Sequence, residues 1–294
     1  MQSDCNMNSM KKIIALLTAI AAVMVSCGEN IEKLAAGHLD NAKEAFSIGN
    51  FNLAKQEIDS IRILYPKAFE ARKQGIRLMQ QIEEAEQMRT IEFEDSMIAV
   101  MTQAFEKIRP AYAFEKDERY HDIGLYTIKS QAPARNSDRT YIRAQVDEQG
   151  RMTLISSYRG SSFIHHDRLR LSVGDDYVET PVSDDRHEFT DLGVSYEWLN
   201  FFGGNDGGAA AFISANKDAD IRYTLYRQTG PDSSKPVYRN IRMTKDDRYA
   251  IAQLYDLAQI LQSLTEHKNQ RDEAKRHLDF VRSHSAQDTI QENN

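Results

Sequence analysis

Two short segments in the second half of the chain concentrate residues that could bind a metal ion or transfer protons. The first is 164–167, with the sequence Ile-His-His-Asp, and the second is 184–188, with the sequence Asp-Asp-Arg-His-Glu. Imidazole and carboxylate groups are common ligands of zinc and related metals. Adjacent strand residues point to opposite faces, so His165 and His166 could share one ion only if their segment is a turn. Because no established metal-binding spacing is present, we assign no metal and no cofactor, and keep His165, His166 and His187 as candidates to follow.

Two further segments suggest catalysis only superficially. Residues 203–208, Gly-Gly-Asn-Asp-Gly-Gly, resemble a phosphate loop but lack its lysine, and we interpret the following run, 210–214, as a strand. Residues 160–162, Gly-Ser-Ser, do not form the nucleophile elbow of serine hydrolases. No serine lies in a context that indicates a general base, and an enzyme would need a cleft joining His165 or His166 to His187. We therefore predict no catalytic residue and a protein that is not an enzyme.

The densest aromatic segment is 196–202, Tyr-Glu-Trp-Leu-Asn-Phe-Phe, which contains the single tryptophan of the chain. Aromatic side chains bury large areas and usually belong to a core. An exposed set could instead stack on sugar rings. The candidates for such a ligand platform are Tyr196, Trp198, Phe201 and Phe202.

The first third of the chain has a helical pattern. From residue 31 to residue 108, apolar residues recur at helical spacing and Gly and Pro are rare. The acidic stretch 83–95 is interpreted as a solvated helix face, because one helix face does not supply converging oxygen ligands for a metal ion.

From about residue 120 the apolar pattern changes to period two, which predicts short strands of an antiparallel sandwich or curved sheet. A hairpin turn is expected at 147–150, where Gly150 supplies a positive φ. The predicted strands are 125–129, 141–146, 152–155, 168–173, 177–180, 210–214, 221–228 and 237–243.

A final amphipathic helix is predicted from 244–247, Thr-Lys-Asp-Asp, which has the composition of a helix N-terminus. Its leucine stripe includes Leu254 and Leu261 and needs a packing partner. We expect the helix to end near 284 and the last ten residues to form a disordered tail.

One helical pair carries a family resemblance. The segment Phe46 to Pro66 resembles the second half of a tetratricopeptide repeat (TPR), in which a glycine turns two helices, an aromatic residue wedges between them and a proline follows the second helix. Gly49, Phe51 and Ala54 occupy the matching positions. The resemblance implies a single helical hairpin that must pack on something else, because about three repeats are needed for an independent array.

The N-terminal segment carries a second resemblance. Residues 10–27 begin with a methionine and two lysines and continue as an apolar run too short to span a bilayer. Their end, 24–27, Met-Val-Ser-Cys, resembles the lipobox of bacterial lipoproteins, including those of Bacteroidetes. The resemblance implies translation from Met10, cleavage before Cys27 and acylation of Cys27. Since two acyl chains anchor a protein stably, it also implies a membrane-anchored chain.

The residue after Cys27 is Gly28. In enteric lipoproteins an aspartate at this position favours retention in the inner membrane. Its absence here leads us to predict the outer membrane, with the orientation toward the periplasm or the exterior left open.

Charge and cysteine content exclude several classes of function. The chain has 37 basic and 44 acidic residues, a net charge of −7, which argues against nucleic acid because phosphate neutralisation dominates such binding. Of its two cysteines, Cys5 precedes the predicted start and Cys27 is the one that the lipobox resemblance predicts to be acylated. No thiol is left for a disulfide, a metal site or catalysis.

Together these patterns predict an α+β protein. Residues 1–26 form the signal peptide and 27–112 a lipid-anchored TPR-like helical segment. A β-rich domain, 119–245, is assigned to no family. The helix 246–284 packs on that domain or on the long third helix, and the tail 285–294 follows.

The leading functional hypothesis is a non-enzymatic cell-envelope lipoprotein that acts as an interaction or scaffold module. Its expected partners are the membrane, through the acyl chains on Cys27, and another envelope protein. The alternative is a carbohydrate- or peptide-binding lipoprotein in nutrient capture, with the aromatic platform around Trp198 as its site.

Overall fold

A computed structural model describes residues 31–116, 123–227 and 237–292 of the chain. The signal segment, including Cys27, lies outside the described residues. The predicted α+β class is confirmed, because the described residues form five α-helices and two antiparallel sheets of six and four strands. No helix among the described residues is both long and apolar enough to cross a membrane.

Contacts divide the described residues into two units, and the division falls within two long helices. The helical unit contains the residues up to Glu94 and those from Gln270 onward, and the β-rich unit contains Asp95–Asn269. The C-terminal part of the last helix therefore belongs with the N-terminal helices, where Ala274 and Leu278 are buried, rather than with the β-rich domain that precedes it.

The helical unit is built on a hairpin of α1 (31–47) and α2 (Phe51–Leu64), followed by α3 (Phe69–Ile108). Gly49 lies in the connecting turn with φ of +75°, a conformation that glycine adopts without steric cost. The side chain of Asn50 caps α2 by accepting a hydrogen bond from the Leu53 amide. Ala42 and Ala54 are fully buried, which lets these helices approach closely.

All neighbouring strands of the β-rich unit are antiparallel. The larger sheet has the order β1-β2-β3-β4-β8-β7 and the smaller sheet the order β10-β9-β5-β6. The strands are β1 Ala113–Glu115, β2 Leu125–Thr127, β3 Tyr141–Asp147, β4 Met152–Gly160, β5 Arg168–Val173, β6 Asp176–Glu179, β7 Asp185–Asp191, β8 Val194–Phe201, β9 Arg222–Arg227 and β10 Val237–Arg242.

Seven of the eight predicted strands are present, but the strand predicted at 210–214 is wrong. The segment is a short helix, α4 (Ala209–Ala215), because three consecutive alanines favour a helix. The carboxylate of Asp206 also stabilises its start by accepting hydrogen bonds from the amides of Gly208 and Ala210.

The last helix, α5 (Lys245–Glu292), starts as predicted. The Thr244 hydroxyl accepts a hydrogen bond from the Asp247 amide at 3.2 Å, as an N-cap residue does. Leu254 and Leu261 are buried in one core with residues of both sheets, which confirms that the leucine stripe has a packing partner. The predicted helix end at 284, with a disordered tail beyond it, is wrong: no glycine or proline interrupts 285–292, and the helix continues to Glu292.

Candidate functional site

Strand β8 carries functional candidates on both of its faces, because successive side chains of a strand alternate in direction. Ser195, Glu197, Leu199 and Phe201 are buried, whereas the residues between them are partly or fully accessible. Phe201 packs in the main core of the β-rich unit, so its assignment to a ligand platform is wrong. This alternation places the aromatic segment half in the core and half on the outer surface of the larger sheet.

The outer surface presents three aromatic side chains, which we call the aromatic face: Phe189, Tyr196 and Trp198. Phe189 stacks on Tyr196, with ring centroids 5.0 Å apart and planes inclined by 12°. Trp198 meets Phe189 edge to face, also at 5.0 Å. Phe189 and Trp198 remain 39% and 37% exposed. Two of the predicted platform residues therefore lie together, joined by Phe189 from β7, which the sequence analysis missed.

Phe202 does not belong to this ladder of strands. It lies in the turn Phe202–Gly204 that follows β8, and its side chain is exposed.

The strand register adds arginines to the neighbourhood of the aromatic face. Tyr196 lies between Arg159 of β4 and Phe189 of β7, and Trp198 lies between Ser157 and His187. Directly paired residues of an antiparallel sheet have Cβ atoms about 4.5–5.5 Å apart. Arg143 of β3 pairs with Ile155 on the same outer surface, two residues along β4 from Ser157.

These two guanidinium groups lack a carboxylate partner among the described residues. The Arg143 side chain donates one long hydrogen bond, 3.5 Å, to the amide oxygen of Gln145, and burial lowers the pKa of Arg143. The Nε atom of Arg159 is buried without a hydrogen-bond partner. The outer surface thus combines exposed aromatic rings with two cationic groups that are not neutralised by the described part of the chain.

The opposite face of β8 holds a buried polar cluster. Ser156, His166 and Glu197 are each fully buried. His166 Nδ1 lies 2.5 Å from Glu197 Oε2 and its Nε2 lies 3.0 Å from Ser156 Oγ. The Glu197 carboxylate also accepts hydrogen bonds from three consecutive backbone amides, those of Ile164, His165 and His166, at 2.5, 2.8 and 3.0 Å.

The electrostatics of this cluster keep Glu197 ionised. Burial raises the pKa of Glu197, but the hydrogen bond from His166 and those from the His165 and Ile164 amides outweigh it, so the pKa lies below its ordinary value. The carboxylate therefore anchors the segment between β4 and β5, where His165 adopts a left-handed conformation with φ of 54°.

The order Ser156–His166–Glu197 matches the hydrogen-bond connectivity of a serine-hydrolase triad. The sequence context of Ser156 does not indicate a base, and the fold brings His166 to it from ten residues away. A nucleophile must nevertheless reach its substrate, and all three side chains are sealed from solvent. The arrangement is suited to holding the loop 164–166 against the core. The sequence feature that could have indicated this cluster is a polar residue, Ser156, at a core position between Leu154 and Tyr158.

The three candidate histidines do not form one site. The His165 ring lies 3.0 Å from both oxygens of Glu188, His166 is held in the buried cluster, and His187 lies 2.9 Å from Asp185 Oδ1 on the outer surface. The segment of His165 and His166 is irregular rather than a strand, but the two rings contact different carboxylates, those of Glu188 and Glu197.

His165, Glu188 and Glu197 do place potential ligand atoms within 4.8 Å of one another. Both oxygens of Glu197, however, already accept two hydrogen bonds each from donors on 164–166. A metal ion would have to displace them, so this grouping does not present an open coordination site.

The glycine-rich loop also has a structural explanation. It leads into the seven-residue helix α4 and not into a strand. Gly207 has φ of +63°, and a Cβ atom there would lie 2.3 Å from the backbone oxygen of Glu179. Glycine is therefore required by close packing, independently of any phosphate ligand.

Comparisons with known proteins give no assignment for this chain. No family model, no curated protein sequence and no solved structure matches it.

Proposed function

We propose that the chain is a non-enzymatic cell-envelope lipoprotein, anchored in the outer membrane through acylated Cys27, whose β-rich unit binds carbohydrate at the aromatic face. The observation that carries the ligand proposal is the exposed arrangement of Phe189, Tyr196 and Trp198. The lipobox-like sequence supports the anchor and its location.

The aromatic face has the form that sugar recognition requires. The apolar C–H faces of a pyranose ring pack on flat aromatic rings, while its hydroxyls need polar groups nearby. The rings of Tyr196 and Trp198 supply large, amphipathic contact area. His187 flanks Trp198 in the register and is exposed, whereas Ser157 on the other side of Trp198 is buried. A protein that used these rings only for its core would bury them, as it buries Phe201.

Arg143 and Arg159, which have no carboxylate partner in the described part of the chain, favour an acidic sugar. A carboxylate or sulfate on the ligand would receive charge-assisted hydrogen bonds from the guanidinium of Arg159 next to Tyr196. Half-buried cations without an anionic neighbour gain most from such a ligand, because burial strengthens the interaction between opposite charges. We therefore propose glycans that carry uronic acid or sulfate groups as the preferred class.

A glycan array that contains matched neutral and acidic saccharides tests this proposal. We expect the wild type to bind acidic glycans and Trp198→Ala to weaken binding about thirtyfold, which corresponds to the ~2 kcal/mol of a central aromatic contact. Arg159→Gln should reduce binding to acidic glycans more than to neutral ones. Phe202→Ala, which removes an exposed aromatic ring outside the face, is the matched control and should bind as wild type.

Two results would count against this function. A silent array for a folded wild-type protein would contradict carbohydrate binding, and equal binding by Trp198→Ala would contradict the aromatic face. Binding of peptides but not of glycans at the same face would favour the peptide alternative.

A second candidate function, docking of an envelope protein, rests on the helical unit. A groove between α2 and α3 is lined by apolar side chains that include Ile58, Ile61 and Met79, and Ile76 at its side is exposed. A photo-crosslinking residue at position 76 should then capture one defined envelope protein in cells. The same residue at position 100, where Val100 is exposed on the β-rich unit's part of α3, should not capture it. Equal capture at both positions would argue against a docking groove.

A further inference from the structure

We propose that the turn between α2 and α3 rests on the membrane surface to which Cys27 is anchored, with Ile63, Leu64 and Phe69 inserted at the lipid headgroup boundary. We call these three residues the turn patch. This inference rests on the proposed acylation of Cys27, and it adds that the folded helical unit itself contacts lipid.

The turn patch is unusually apolar for an exposed turn. Ile63, Leu64 and Phe69 are 68%, 61% and 71% exposed, although they lie within seven consecutive residues. Single exposed apolar residues need no explanation, but adjacent ones at a turn mark a surface that is covered in use. The hairpin core beneath them consists largely of small residues such as Ala68 and Ala71, and the large side chains of the turn patch are not buried in it.

The patch lies at the same end of the helical unit as the start of α1. The carboxylate of Glu32 accepts hydrogen bonds from the backbone amides of Glu70 and Ala71, at 3.3 and 3.4 Å. The His38 ring, further along α1, lies 5.7 Å from the ring of Tyr65, just after α2. The first turn of α1 is therefore fixed beside the first turn of α3, where Phe69 lies.

The length of chain from the anchor to α1 then limits how far this end can be from the membrane. Four peptide units separate Cys27 from Ile31, and a fully extended chain spans at most about 3.5 Å per residue, or ~14 Å in all. Apolar faces of interfacial helices enter the headgroup boundary by about 5–10 Å. Anchored Cys27 thus holds the start of α1, and with it the turn patch, within reach of lipid.

The charged residues near the patch are compatible with a lipid surface. Lys67 lies in the turn itself and Lys33 in the first turn of α1, and both are exposed. Lysines beside an apolar surface are attracted to anionic headgroups. Among the described residues of this region, Glu70 is an exposed carboxylate, so the attraction is expected to assist the apolar contact and not to replace it.

The chain offers a matched control at the other end of the hairpin. Ile48 lies in the turn between α1 and α2 and is 73% exposed, yet α1 separates it from Ile31 by 17 residues, about 25 Å of helix. If exposure alone caused lipid contact, Ile48 would contact lipid as Leu64 does. If the anchor places the turn patch, only Leu64 and Phe69 should do so.

Spin-label accessibility on the full-length acylated protein tests the inference. The mature chain retains only the acylated cysteine, so Leu64→Cys, Phe69→Cys and Ile48→Cys each introduce one thiol for a nitroxide. The labelled proteins are reconstituted in vesicles of phosphatidylethanolamine and phosphatidylglycerol. We expect oxygen, which concentrates in lipid, to relax the labels at 64 and 69 strongly when the protein is bound to vesicles. An aqueous nickel chelate should reach these two labels poorly, whereas it should still reach the label at 48.

The possible failures of this experiment separate the two proposals. A protein that does not float with the vesicles contradicts the acyl anchor, and the inference fails with it. A protein that floats but whose labels at 64 and 69 are as accessible to nickel as the label at 48 overturns the turn patch alone.

Discussion

Replacing Glu197 by glutamine should destabilise the β-rich unit strongly, although the two side chains have nearly the same shape. The carboxylate accepts four hydrogen bonds, two at each oxygen: Oε1 from the Ile164 and His165 amides, Oε2 from the His166 amide and ring. A glutamine side chain has one oxygen and one NH₂ group, which can only donate. Whichever way the amide is turned, two donors of segment 164–166 lose their acceptor.

The structure sets the size of the effect. A buried donor left without an acceptor costs about 1–3 kcal/mol, so two such donors together cost about 2–6 kcal/mol. We therefore expect Glu197→Gln to lower the free energy of unfolding by about 4 kcal/mol. For a unit of this size, each kcal/mol corresponds to about 2–4 °C in Tm, so the expected decrease is roughly 8–16 °C.

Urea unfolding followed by tryptophan fluorescence measures this loss locally, because Trp198 is the single tryptophan and adjoins Glu197 in β8. The matched control is Glu188→Gln, directly opposite on β7. The Glu188 carboxylate is partly exposed and contacts His165 and Arg186, so its loss should cost no more than about 1 kcal/mol. Equal effects of the two substitutions would refute the view that Glu197 anchors the 164–166 segment.

Three further predictions concern the same unit. Because the folded-state pKa of Glu197 lies below its ordinary value of 4.5, its contribution to stability is present above that pH and is lost as the pH falls through the folded-state value. Acid titration of the unfolding free energy should show this loss in the wild type and not in Glu197→Gln, and parallel curves would contradict it. Gly150→Ala should lower the free energy of unfolding by at least about 3 kcal/mol, because φ is +83° and a Cβ atom would lie 2.3 Å from the Gln262 amide nitrogen. A urea midpoint close to that of the wild type would contradict the close approach of this turn to α5. Ser156 should not react with a fluorophosphonate probe in the folded protein, because it is fully buried, and labelling detected by mass spectrometry would revive a hydrolase function.

Structural elements could be predicted correctly from the sequence where the residue pattern has a single physical interpretation. The leucine stripe of α5 has the helical period and needs a partner, and Leu254 and Leu261 are buried as that reasoning requires. The turn at Gly150 was predictable because glycine readily supplies its positive φ. Both features depend on neighbours close in sequence.

The sequence was insufficient where a residue's environment depends on distant strands. Strand β7 was not predicted because its residues are mostly charged or polar on both faces, so period-two alternation is missing. Without β7 the contribution of Phe189 to the aromatic face could not be foreseen. Ser156 and His166 meet Glu197 only through the pairing of β4 with β8, and no local spacing encodes that contact.

Titration of Trp198 fluorescence with an acidic oligosaccharide tests the central claim most directly. The single tryptophan of the chain lies in the aromatic face, so a sugar stacked there must change its emission. We predict a saturable change that is weakened by Arg159→Gln and unchanged by Phe202→Ala. Oligosaccharide binding, detected by calorimetry, without any change in the Trp198 emission would contradict the account.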